Sequence, residues 1–261
     1  MLNKENTDSQ PILSATAPQA KAARVWQIDA LRGTAMILMT VFHALVDIRD
    51  FFGFADVRYY EPPLVFIGRS SAILFMFVSG ISCRFSKDNV RRGIKVILCG
   101  FAVTIATYFF VKDLYVRFGI LHFLGTVMVL IGIFEKFVRQ ETVRKWFFWF
   151  AAPLSLLLGF FFSNTRTENP FLFIFGIITP RFQSYDYYPL FPWGGVVFAG
   201  YALGLFVYER RERLASMRKA RFVSALCSLG RVSLIYYLVH QPALLAVFYI
   251  FNVLFRIALN L

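Results

Sequence analysis

Seven stretches of this chain, at residues 33–52, 65–84, 94–111, 118–135, 146–163, 189–208 and 232–255, are apolar for close to the length a helix needs to cross a bilayer. Nothing constrains the fold more. In hydrocarbon every backbone N–H and C=O must find its partner within the protein, so a spanning segment that is not part of a closed barrel has to be a helix. The chain is therefore expected to be all-α, a polytopic membrane protein of about seven transmembrane helices. Its 58% hydrophobic content and mean hydropathy of +0.59 exclude an ordinary soluble domain. Phe171–Ile178 is apolar but too short to cross. It lies in the longest outer connection, 164–188, and reads as an interfacial or re-entrant element, with an eighth crossing as the alternative. No internal repeat is evident, while Gly200 and Gly204 form a small-xxx-small pair suited to helix packing.

The net charge of +13 reports topology. Alternate connections hold 20 of the 28 Lys and Arg residues, from Lys4, Lys21, Arg24 and Arg32 to the run Arg210–Arg231. Cytoplasmic loops carry that excess, so the N-terminus is expected inside and the C-terminal end outside, in a cytoplasmic (inner) membrane. This placement argues against nucleic acid as the partner. The connection 209–231 touches anionic lipid or attracts a phosphorylated ligand. Residues 1–24 are polar and read as a disordered cytoplasmic tail, leaving 25–261 as the transmembrane domain. Three cysteines, Cys83, Cys99 and Cys227, fit neither a disulfide framework nor a zinc site.

Ionisable residues inside a membrane are costly and mark sites. His43 lies midway along the first span, and Asp47 is its i,i+4 neighbour on a helix. Eleven steps of about 100° bring Arg32 onto nearly the same face, roughly 16 Å away. Arg69, His122, Asp186, Tyr187, Trp193, His240 and Gln241 are expected to converge between the membrane centre and the outer side. A histidine backed by a carboxylate suits general-base catalysis, in which it takes a proton from a hydroxyl or amine attacking an activated acyl group. Arg32 at the cytoplasmic mouth would hold an anionic donor such as acyl-coenzyme A, or else snorkel as a topogenic charge paired with Asp29. The histidine spacing does not support a metal site, and there is no Gly-x-Ser-x-Gly elbow.

The segment Ile28-Asp-Ala-Leu-Arg-Gly-Thr-Ala-Met-Ile-Leu-Met39 resembles the first helix of the heparan-α-glucosaminide N-acetyltransferase catalytic-domain family. Arg117-Phe-Gly-Ile-Leu-His-Phe-Leu-Gly125, Asp186-Tyr-Tyr-Pro-Leu-Phe-Pro-Trp-Gly194 and Leu229-Gly-Arg-Val-Ser-Leu-Ile-Tyr-Tyr-Leu-Val-His-Gln-Pro242 look like its bacterial members, in collinear order. The arginine and histidine with ten residues between them are also similar to the signature of type-3 membrane acyltransferases, whose histidine is the proposed base. The resemblance implies a membrane enzyme moving acetyl from cytosolic acetyl-CoA to an acceptor on the far side, with Arg32 and His43 matching the motif residues. One departure stands out: residues 44–70, where the lysosomal enzyme places its active-site histidine, contain none. The chain is also shorter than that enzyme, so heparan sulfate is not the expected acceptor.

The expected activity is transfer of acetyl to a cell-envelope sugar or related acceptor. His43 and Asp47 would be catalytic, and Arg32, Asp29, Arg84 and Arg91 would meet the donor. Arg69, His122, Asp186, Tyr187, Trp193, His240 and Gln241 would line the acceptor side. No metal is expected; membrane lipid is, and a homo-oligomer is left open. The rival is a proton-coupled transporter or permease using the same histidines and carboxylates as a relay, and a non-catalytic membrane scaffold is the third reading.

Overall fold

The computed structural model describes residues 24–52, 58 and 60–258, so the expected tail falls outside the described residues apart from Arg24. The helices are α1 (Trp26–Phe52), α2 (Leu64–Cys83), α3 (Asn89–Phe110), α4 (Ile120–Phe137), α5 (Glu141–Ser163), α6 (Leu190–Glu209), α7 (Arg211–Ser216), α8 (Val223–Arg231) and α9 (Ser233–Ala258). Seven of them, α1 to α6 and α9, are long and apolar enough to cross a membrane. The chain is a multi-pass membrane protein. Each crossing overlaps its apolar stretch, and among the described residues no strand forms.

The segment 171–178 is not a crossing. It contains a four-residue 3₁₀ turn, Leu172–Phe175, closed by Gly176 in the left-handed region and docked against α6. The basic connection after α6 folds into two short helices, α7 and α8, which the charge pattern did not reveal. The end of α7 is tied to the start of α1: the Gln27 amide donates to Leu214 O at 2.8 Å, and the Trp26 indole N–H donates to Met217 O at 3.3 Å.

Packing follows two patterns. Helix α1 lies against α2, α8 and α9; α2 lies against α6, α6 against α5, and α3 against α4. Thinner contacts of α4 with α2 and of α3 with α9 close a ring α1–α2–α4–α3–α9, with α6 and α5 stacked outside it. The core between them holds Met36, Met76, Phe123, Val127, Val197 and Tyr201, all fully buried. The outer faces expose Phe109, Phe110, Phe160, Ile235 and Phe251, as helices meeting acyl chains do.

Between lipid-soluble helices, apolar burial supplies little drive, so close backbone approach has to hold them together. At Gly200 of α6 an added Cβ would stand 2.1 Å from the Phe77 carbonyl oxygen of α2. The expected small-residue face is this seam. At the other end of the ring, a Cβ on Gly230 of α8 would stand 1.9 Å from the Asp29 carbonyl oxygen of α1. An unforeseen polar knot sits near the α2–α3 connection. The Asn89 amide donates to Cys83 O at 2.9 Å and to a Glu135 oxygen at 2.8 Å, and the Tyr201 hydroxyl donates to the other Glu135 oxygen at 2.7 Å.

Replacing Gly200 by valine forces α2 and α6 apart, since backbone cannot step aside as a flexible side chain can. We expect a loss of about 2 kcal/mol or more, read as a lower melting temperature of the detergent-solubilised protein. A melting curve unchanged from wild type contradicts the α2–α6 seam.

Candidate functional site

The ring lines an open-sided cavity of about 630 Å³, within the size range of small-molecule sites. Its floor is basic. Arg24 and Arg32 come from α1 and the residues before it, Arg92 and Lys95 from α3, and Arg231 from the end of α8, against the single carboxylate of Asp29. Ser79, Ser82, Ser86 and Ser233 add hydroxyls. The remaining walls are apolar, with Phe75 of α2, Leu121, Leu124 and Met128 of α4, and Leu234 of α9.

Arg32 organises this floor. Its side chain is only 13% exposed, and its guanidinium stands 3.5 Å from Asp29, donates to Gly230 O at 3.2 Å and bonds the Ser82 hydroxyl. Asp29 also accepts two bonds from Arg24, at 2.6 and 3.1 Å, so one carboxylate is shared by two guanidinium groups. Positive charge is left over in a partly desolvated space, a setting that favours an anion making charge-assisted hydrogen bonds. Arg32 thus pairs with Asp29 and also lines the cavity.

Other expected residues lie elsewhere. Arg84 bonds Glu141 and covers the Tyr208 ring at 4.1 Å, and Arg91 points out beside Asp88 with its side chain 85% exposed. Arg92 and Lys95 take their place, because α3 turns positions 92, 95 and 96 inward and position 91 lies about 100° away. Arg69 is exposed on α2 and lines neither void described here. The His43 ring stands 5.2 Å from His240 and 5.9 Å from Phe42, on the α1–α9 seam and outside both voids. Asp47 does not orient it. The buried Asp47 carboxylate accepts from the Gln241 amide of α9 at 3.0 and 3.2 Å, and no His43–Asp47 hydrogen bond forms among the described residues. Spacing of i,i+4 permits a contact; the amide across the seam takes it instead. Tyr187 donates to Phe173 O within the 164–188 connection, and Trp193 of α6 meets Tyr188 edgewise at 5.4 Å.

A second void, about 10 Å³, is lined by Leu121, His122, Asp186 and Tyr237 with Gly100 and Gly119. It holds about one water molecule at most. Leu121 lines both spaces. Asp186 accepts the Ile120 N–H at 3.0 Å at the start of α4. Burial pushes its carboxyl up to about 6, with the Ile120 bond pulling the other way. Burial raises the Tyr187 and Tyr188 hydroxyls as well. Among the described residues, no three His, Cys, Asp or Glu side chains gather closely enough to hold a metal ion.

The sequence model described as "Heparan-alpha-glucosaminide N-acetyltransferase, catalytic" matches residues 24–242. The chain belongs to this family. No curated protein and no solved structure matches it. The family's match spans every residue that lines the two voids of this acetyltransferase-family protein, together with all three histidines.

Because burial raises the Asp186 carboxyl, the folded state favours its protonated form. That contribution is fully present below the unfolded value of about 3.9 and is lost as pH rises through about 6. The melting temperature of wild type minus that of Asp186→Asn is therefore expected to fall between about pH 4 and pH 7. A difference that stays flat or rises contradicts the burial of this carboxyl.

Proposed function

We propose that the protein is a membrane acetyltransferase that draws acetyl-CoA into the basic cavity and passes the acetyl group to a cell-envelope sugar or related acceptor. The basic end faces the cytoplasm of an inner membrane in this reading, as the loop charges favour. The observation that carries it is the cavity, cationic at its floor and apolar above, in a chain of an acetyltransferase family. Phosphates of the donor lie against Arg32, Arg92, Lys95 and Arg231, where guanidinium groups can bind them in bidentate fashion. The pantetheine arm then runs inward along Phe75, Leu124 and Leu234, bringing the thioester toward the membrane centre.

The chemistry is acyl transfer. An acceptor hydroxyl or amine attacks the thioester carbonyl and yields its proton to a base; the C–S bond breaks and the thiolate leaves. The protein's part is to hold the two reactants in line and to keep water from the thioester. The apolar upper wall serves the second purpose. His43 and His240 face each other on the α1–α9 seam, outside the donor cavity, so this reading assigns them no bond-making step.

Arg92 tests the reading more cleanly than Arg32, which also braces the helices. A lost charge-assisted hydrogen bond is worth about 1.5–3 kcal/mol, or roughly tenfold to a hundredfold in affinity. In membranes supplied with radiolabelled acetyl-CoA, Arg92→Gln should raise KM for the donor by about tenfold or more with kcat little changed. An unaltered KM removes the cavity as the donor site.

A further inference from the structure

His122 is the most confined histidine, 4% exposed, with Phe118 stacked on its ring, Phe101 at its edge and Gly100 beneath it. Its protonation state follows from its neighbours. The Thr104 hydroxyl donates its one proton to Val116 O at 2.7 Å. Toward the His122 Nε2, 3.3 Å away, that hydroxyl can therefore only accept, which makes Nε2 the protonated nitrogen. Nδ1 is then left with a bare lone pair, buried and without a hydrogen-bond partner. An unsatisfied buried acceptor is costly, and a tautomer fixed this way presents a base with no proton and nothing to take one from.

Position separates this histidine from the other two. His240 is held likewise, its Nδ1 2.7 Å from Tyr237 O and its Nε2 unpartnered, but it lines neither void, and the same holds for His43. His122 lines the small void that shares Leu121 with the donor cavity.

Resting on the acetyltransferase reading, we propose that His122 is the catalytic base of the transfer, with Thr104 as the residue that positions it. The acceptor O–H or N–H hydrogen-bonds to Nδ1 and its heteroatom attacks the thioester carbonyl carbon. As the new C–O or C–N bond forms, the proton passes to Nδ1; as the C–S bond breaks, that proton goes on to the departing thiolate. The products are the acetylated acceptor and free thiol, and His122 returns to its neutral Nε2–H form. Asp186 and Tyr237, on the same void, lie where the acceptor would approach.

The test is label transfer from radiolabelled acetyl-CoA to membrane-bound acceptor, for wild type, His122→Gln, Thr104→Val and Thr104→Ser. His122→Gln should lower kcat by about 10² to 10⁴-fold with the donor KM unchanged. Thr104→Val should lower kcat and Thr104→Ser restore it, a split that a merely structural role does not produce. A His122→Gln protein that transfers at the wild-type rate overturns the proposal. Should that variant fail to fold, equal rates for Thr104→Val and Thr104→Ser overturn it. A wild type that binds acetyl-CoA yet moves no label fails at the earlier step and overturns the acetyltransferase reading itself.

Discussion

The Asp29–Arg32 pair is the contact on which the rest depends. A guanidinium inside a membrane span is tolerated only where other groups take its donors. Arg32 spends them on a carboxylate of its own helix, a carbonyl of α8 and a hydroxyl of α2. Three helices are thereby fixed at one point. The close approach of Gly230 to the Asp29 backbone belongs to the same junction. Removing Asp29 would leave the Arg32 guanidinium partly buried without its carboxylate, usually worse than never having had the pair.

The pair also sets the sign of the cavity. Asp29 divides its charge between Arg24 and Arg32, and Arg92, Lys95 and Arg231 add three more cations to the same wall. A cavity whose floor attracts anions and whose upper wall is apolar suits a ligand that is charged at one end and greasy at the other. Leu121 lines both this space and the pocket of His122 and Asp186.

Much of the fold could be read from residues alone because length and apolarity decide whether a helix spans, and the Gly200–Gly204 face was visible for the same local reason. Charge counting hid α7 and α8, since a run of arginines looks alike whether it is coil or helix. Glu135 stood at the end of an apolar stretch, and only its tertiary partners Asn89 and Tyr201 give it a role. The site was less legible. Helices apolar on most faces do not declare which way they point, which is how Arg91 stood in for Arg92. Asp47 is drawn to Gln241, a partner 194 residues away, and the tautomer of His122 rests on Thr104 and Val116, which no spacing rule links to it.

The most direct measurement compares binding of acetyl-CoA and of acetyl-pantetheine, which carries the thioester but no phosphate, to the detergent-solubilised protein. If the cationic floor is the donor site, acetyl-CoA binds and acetyl-pantetheine binds far more weakly, and added salt narrows the gap. Equal affinity for the two, or none for acetyl-CoA, would contradict the account.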